Sequence, residues 1–236
     1  MISIYPQKVI KLAMDAIFPI RCVGCGAYDT YFCTSCLAEV KIKNDAELVG
    51  ALPVFSAANY SDKLIQKALK VFKYGFVRDM AGPLADVVRT YIDSIPVISS
   101  GLLRGNPRAE QSSYDGNPLI VPVPLHKKRL NWRGFNQSEI LAEKISGFYG
   151  LEVKNILVRN KNIKPQADIE DRESRMNNIK DSFACSANIN GRPACVGRNI
   201  ILVDDICTTG ATLNECAKVL AANGAGKVRA LVIARG

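Results

Sequence analysis

Near the C-terminus, Ile200-Ile201-Leu202-Val203, entered from Asn199, is an unbroken apolar run that meets two acids and a polar stretch, Asp204-Asp205-Ile206-Cys207-Thr208-Thr209-Gly210-Ala211-Thr212. A run that is apolar at every position, rather than at alternate ones, belongs to a central strand covered on both faces by helices. Leu213, Cys216, Ala217 and Leu220 then recur at helical spacing until Asn223-Gly224, and Val228 to Ala234 reads as the next buried strand. In such a strand-loop-helix-strand unit the ligand sits beyond the carboxyl end of the first strand, where the loop meets the helix N-terminus.

The loop's composition specifies the ligand class. Small residues and Gly210 let backbone N–H groups approach an anion, Thr208, Thr209 and Thr212 add hydroxyl donors, and the helix dipole favours negative charge there. A monophosphate fits this cradle. Asp204 and Asp205 would repel the same phosphate, so their expected work is to accept hydrogen bonds from neighbouring sugar hydroxyls or to help place a magnesium ion. The expected ligand is therefore a phosphorylated sugar. There is no G-x4-G-K-[ST] phosphate loop, and the adjacent aspartates lack the D-x-D spacing of an aspartyl phosphatase.

The eight cysteines fall into two groups. Cys22, Cys25, Cys33 and Cys36 form C-x2-C-x7-C-x2-C, two turns that offer four thiolates to one tetrahedral structural zinc. Gly24 and Gly26 supply the permissive backbone of such a knuckle. Four sulfurs leave no open position for a catalytic water, so the expected role is folding, worth roughly 10–16 kcal/mol in comparable peptides. Disulfides and an iron site are the competing assignments. Cys185, Cys195, Cys207 and Cys216 lack ligand spacing and read as buried small hydrophobes or loop residues. A nucleophilic Cys207 would have only His126, the single histidine, as an imidazole partner.

Length and composition bound the rest. A chain of 236 residues holds one main core with a small appendage, and 48% hydrophobic against 22% charged residues is a globular balance. No apolar run approaches the roughly 18 residues of a membrane span, and Lys11 and Asp15 interrupt the apolar N-terminus that would otherwise resemble a secretion signal. Val9, Leu12, Ala13, Ala16 and Ile17 instead mark one face of a short docking helix. The expected location is the cytoplasm. A net charge of +9 makes polyanions candidate partners, and the segment from His126 to Arg133 concentrates four basic residues, no acid and the only Trp, with a solvated loop as the bland alternative.

With these motifs in place, Ile200 to Thr212 resembles the phosphoribosyl pyrophosphate (PRPP) loop of type I phosphoribosyltransferases. The four-cysteine ribbon joined to this loop, with Val121-Pro122-Val123-Pro124-Leu125 and Arg133-Gly134-Phe135-Asn136-Gln137 between them, resembles the ComF family of bacteria, as do Gln166, Arg175, Asn178 and Phe183. The resemblance implies an α/β chain with the type I phosphoribosyltransferase fold, a mainly parallel sheet flanked by helices, and a small N-terminal zinc ribbon. Residues 1–50 would hold the docking helix and ribbon, and 51–236 the transferase-like domain, with a hood over the acceptor site at about 51–95. It also implies a pyrophosphate turn near Pro122 to His126, aided by Lys127, Arg129 and Arg133, and a lid from Asn160 to Ser182 that offers Lys161, Lys164, Gln166, Arg172 and Arg175.

Local patterns add strands at Leu119–Val123, Asn155–Arg159 and Pro53–Tyr60, and helices at Gln137–Phe148, Lys63–Phe72 and Met80–Ile92. Gly101 to Asn117 reads as an exposed loop. Three functions remain in competition. One is PRPP- and magnesium-dependent phosphoribosyl transfer, with Asp204 and Asp205 flanking the reacting sugar and nucleobase salvage as a variant. Another, implied by the family resemblance, is handling of single-stranded DNA during competence beside a helicase partner, with Trp132 for stacking. The last is a PRPP-responsive adaptor without transfer activity. The acceptor and the oligomeric state are not written in these motifs.

Overall fold

Residues 19–95, 118–160, 181–186, 191 and 193–236 are described in the computed structural model of the chain. The cysteine module holds helix α1 (Thr34–Ala38). A hairpin of β1 (Ala46–Val49) and β2 (Leu52–Asn59) follows, then α2 (Lys63–Tyr74), a 3-10 turn (Arg78–Met80) and α3 (Ala81–Ser94). Next come β3 (Leu119–Pro122), α4 (Lys127–Arg133), α5 (Gln137–Tyr149), β4 (Leu157–Arg159) and β5 (Phe183–Cys185). The chain closes with β6 (Ile200–Cys207), α6 (Ala211–Ala222) and β7 (Val228–Arg235).

The main sheet has the order β1-β2-β7-β6-β3. Only the β1–β2 pair is antiparallel; β2–β7, β7–β6 and β6–β3 are parallel. The burial pattern explains why these segments form central strands. Along β6, Ile201 and Val203 join the core shared with α2, α3 and α5, while Ile200 and Leu202 join the core on the α6 side. Leu231 and Ile233 of β7 face the first core, and Ala230 and Val232 the second. Each of these Val, Leu and Ile side chains contributes roughly 1.5–3 kcal/mol when fully buried, and a one-residue slip of register would invert both faces.

Most expected elements are present within a residue or two, and three details differ. β6 runs on to Cys207, paired with Arg235 of β7, so Asp204 and Asp205 belong to the strand rather than to the loop after it. The strand expected at Asn155–Arg159 shrinks to β4 and leaves the main sheet, pairing antiparallel with β5 in a separate two-stranded ribbon. The basic segment from Lys127 to Arg133 is a helix, not a solvated loop, capped by His126, which accepts from Lys128 N, and ended by Gly134 at φ 75°.

The stretch 51–95, expected as a hood, supplies β2 to the main sheet and packs α2 and α3 on its first core. The β1–β2 hairpin straddles residue 50, and Cys22, Phe32, Cys36 and Val40 are buried in that same core. The cysteine module thus shares apolar packing with α2.

Candidate functional site

The carboxyl ends of β3 and β6 lie side by side, because Leu119 to Pro122 pair in register with Ile200 to Val203 and Val123 N donates to Val203 O at 2.9 Å. The expected pyrophosphate turn, Pro122 to His126, therefore begins next to Asp204.

The Arg133-to-Ser138 segment shows why each residue type stands where it does. Gly134 takes the left-handed conformation that ends α4, and the Phe135 ring packs 5.9 Å from Phe72 with the Arg78 guanidinium 5.3 Å over it. Asn136 caps α5 by accepting from Ser138 N, and its amide donates to Val123 O at 3.1 Å. Ser138, nearly fully buried, donates its hydroxyl to Asp204 Oδ1 at 2.8 Å. The segment therefore ties the β3 turn to the strand that carries the two acids.

The two aspartates are in different surroundings. Asp205 is 7% exposed and its Oδ1 lies 2.8 Å from Lys73 Nζ at the end of α2. Asp204 accepts from Ser138 and from Asp205 N at 2.9 Å. Desolvation, then the neighbouring Asp205 charge, push the Asp204 carboxyl up to about 7, against the pull of Lys73 and Ser138. Asp204 is thus only partly ionised near neutral pH. That suits acceptance of hydrogen bonds from sugar hydroxyls better than direct ligation of a dication, for which Lys73 already occupies the place beside Asp205.

Beyond Cys207 the chain turns into α6. Gly210 is the N-cap at φ 75°, and a Cβ there would lie 2.2 Å from Val49 Cγ1. Asn214 fixes the turn by donating to Val49 O and Gly210 O, each at 3.0 Å. Gly210 itself offers no side-chain cap and the first turn holds no acid; Ala211 N donates to Thr209 Oγ1 at a long 3.4 Å, so an anion at this terminus meets no competing carboxylate. Thr208 is exposed, Thr209, Ala211 and Thr212 are half-buried and Gly210 is buried. Cys207 is buried, and burial followed by the Asp204 charge pushes its thiol up to about 11, while His126 is engaged as the cap of α4. That pairing gives no activated nucleophile.

The expected cations separate. Lys127 is exposed and Arg129 half-buried on α4, whereas Arg133 donates to Gln137 at 2.9 Å and lies over Tyr74 and Trp132. Lys161, Lys164, Gln166, Arg172 and Arg175, the Asn160-to-Ser182 lid apart from its ends, the docking helix and the 101–117 loop lie outside the described residues. Two cations near the acids went unread in the sequence. Lys73 is one lysine among several in α2. Arg159, at the end of β4, lies over the Phe183 ring at 5.1 Å, and among the described residues its Nε has no hydrogen-bond partner. Burial and then Arg129 disfavour its charge, while Cys216 and Asp204 favour it, so it stands within the field of the site. A basic residue closing a strand just before a polar segment was the available signal.

The cysteine cluster is compact. Ligand atoms of Cys22, Cys25, Cys33 and Cys36 all lie within 4.8 Å of one another, near the ~3.8 Å separation implied by four zinc–sulfur bonds of about 2.3 Å. A Cβ on Gly24 would lie 2.5 Å from Cys36 Sγ, which explains the glycine. Burial acts to raise the Cys22 thiol, but amides of Cys33, Cys25 and Gly24 outweigh it and bring the group down to about 6. Burial and the neighbouring sulfurs push Cys36 up to about 12. The group could hold a metal such as zinc. Among the described residues no helix is long and apolar enough to cross a membrane.

Comparison with known proteins agrees with this geometry. Residues 140–236 match the family model of the phosphoribosyl transferase domain. The chain is 34% identical over 117 residues to Competence protein F of Haemophilus influenzae, covering 49% of each chain. It is 31% identical over 116 residues to DNA utilization protein YhgH of Escherichia coli K12, covering 49% of this chain and 48% of that one. With Competence protein ComFC of Bacillus subtilis it shares 36% identity over 110 residues, 47% and 41% of the two chains. The chain spans about half the length of the curated relatives it matches. In its four-cysteine cluster, its match to the phosphoribosyl transferase domain and these relatives, the chain is similar to members of the ComF family.

Proposed function

We propose that this protein binds PRPP at the loop Asp204 to Thr212 and acts in the handling of single-stranded DNA during natural competence, beside a helicase partner and in a reducing, cytoplasmic setting. The observation that carries the reading is the acid-free α6 N-terminus, opened by Gly210, just beyond a strand that carries two buried or half-buried acids near its carboxyl end. Amides and hydroxyls of Thr208, Thr209, Gly210, Ala211 and Thr212 take the 5-phosphate, and Asp204 and Asp205 accept from the ribose hydroxyls. The pyrophosphate then lies toward the β3 turn, where Lys127, Arg129 and Arg159 supply positive charge, with Lys161, Gln166 and Arg175 as lid candidates. Magnesium, when bound with PRPP, adds charge neutralisation at the departing pyrophosphate.

Transfer, on this reading, is electrostatic: a carboxylate beside the sugar stabilises developing positive charge, and cations stabilise the leaving group. Structural zinc in the cysteine cluster holds the N-terminal module against α2. Two names among the relatives contain "Competence" and another "DNA utilization", which supports the DNA-handling half of the reading. The experiment is PRPP binding and pyrophosphate release by wild type and by the Asp204→Asn/Asp205→Asn variant. Binding without release from any acceptor would favour a PRPP-responsive adaptor, whereas release with a free nucleobase would favour salvage.

A further inference from the structure

Helix α2 contains no acidic residue, and Lys63, Lys67, Lys70 and Tyr74 follow one another at steps of four, three and four residues, which puts them on one helical face. All four are exposed. Among the described residues none of these three lysines enters an ion pair, although the lysine beyond them, Lys73, does. The opposite face, Ile65, Ala68, Leu69 and Phe72, is almost wholly buried. The helix is therefore fixed, and its apolar side is not free to enter a lipid surface.

The stripe ends on aromatic rings. Tyr74 lies 6.4 Å from Trp132 and Phe76 lies 5.2 Å from it, and the three rings are 59%, 46% and 58% exposed in the order Tyr74, Phe76, Trp132. Phe76 holds this place at φ 57°, a left-handed backbone that costs a bulky residue roughly 1–2 kcal/mol. The strained turn thus sends a large apolar ring out against Trp132 instead of into the core. The Arg133 guanidinium lies 5.5 Å from the Tyr74 ring, and Lys127 and Lys128 of α4 are exposed nearby in the chain.

We infer that α2 and this ring cluster form a track for single-stranded nucleic acid, with Lys63, Lys67 and Lys70 on its phosphates and Tyr74, Phe76 and Trp132 against an unpaired base. The inference rests on the DNA-handling reading above and gives it a location. Charge selects a polyanion, and exposed ring faces select one whose bases are open. A duplex hides those faces, and an acidic peptide would engage the lysines without using the rings. Because Lys73 reaches Asp205 from the residue before Tyr74, a base held here lies at the edge of the PRPP loop.

The test uses the full chain, a fluorescein-labelled oligothymidylate and an abasic strand of the same length, followed by anisotropy across a salt series. Wild type binds the oligothymidylate more tightly than the abasic strand. Lys63→Gln/Lys67→Gln/Lys70→Gln lowers the magnitude of the log–log salt slope by about 2, the effect of three phosphate contacts at about 0.7 each. Trp132→Ala weakens oligothymidylate binding about tenfold and leaves the abasic strand unaffected. Both variants keep wild-type melting and PRPP titrations. Wild-type slope and affinity in the triple variant would overturn the track while leaving DNA handling standing. Equal wild-type binding of both strands would overturn the stacking role, and absence of binding at low salt would remove the DNA-handling reading itself. Tighter capture of acidic peptide or anionic vesicles than of the oligothymidylate would reassign the surface.

Discussion

Lys73 Nζ stands 2.8 Å from Asp205 Oδ1, which ties the last turn of α2 to the carboxyl end of β6. Both side chains are largely withdrawn from water, at 18% and 10% exposure. The contact lowers the negative charge beside the α6 N-terminus, where two bare carboxylates would repel a phosphate, and it leaves Asp204 as the acid whose proton balance is most disturbed.

Replacing Lys73 with Met removes one partner of a mostly buried pair and strands the charge of Asp205. The expected loss is ~3 kcal/mol, at the lower end for such deletions because some exposure remains. Adding Asp205→Asn to Lys73→Met recovers part of it. Urea unfolding of the four proteins checks this, and additive effects would deny the coupling.

Asp204 makes stability depend on pH in a defined direction. Its carboxyl titrates near 7 in the fold against an ordinary value of 3.8. Between those values the folded protein keeps a proton that the unfolded chain has released, so this contribution is complete below pH 4 and is lost as pH rises through 7. Asp204→Asn, which can still accept from Ser138, is expected to melt several degrees above wild type at pH 8 and to approach it at pH 4. A constant difference across that range would contradict the assignment.

Gly210→Ala meets two obstacles, the positive φ and a Cβ 2.2 Å from Val49 Cγ1. A destabilisation of about 1–3 kcal/mol follows, together with loss of the loop shape on which anion binding depends. Adding Val49→Ala relieves the clash but not the backbone conformation, so thermal melts are expected to show partial rescue only.

Removal of metal from the cysteine cluster is expected to loosen more than the ribbon. Cys22, Phe32, Cys36 and Val40 share one buried core with Ile65 and Leu69 of α2. A chelator, or Cys22→Ser, therefore lowers the melting temperature of the whole chain. One zinc per chain released to a colorimetric chelator, in step with that loss, is the supporting result; an unchanged melt would uncouple the module from α2.

The parts that were legible in the sequence are those dictated by short-range pattern. The apolar run at Ile200 to Val203, the cysteine spacing and the Gly210 turn each require a particular local backbone, and each is found. The extension of β6 through the two acids was not legible, because β7 pairing holds polar residues in a strand that composition alone would end. The departure of β4 from the main sheet depends on β5, which lies beyond a long polar segment. Lys73 looked like any other lysine of a basic helix; only packing of α2 on the sheet turns its ammonium toward Asp205, and only that packing gathers Tyr74, Phe76 and Trp132.

Calorimetric titration of the zinc-loaded protein with PRPP, with and without Mg2+ and beside Asp204→Asn/Asp205→Asn, tests the central assignment. The account predicts saturable, Mg2+-dependent binding by wild type that is lost in a variant whose thermal melt shows it folded. A folded wild type that takes up no PRPP, or a variant that binds it as tightly, would contradict the assignment of the Asp204 to Thr212 loop.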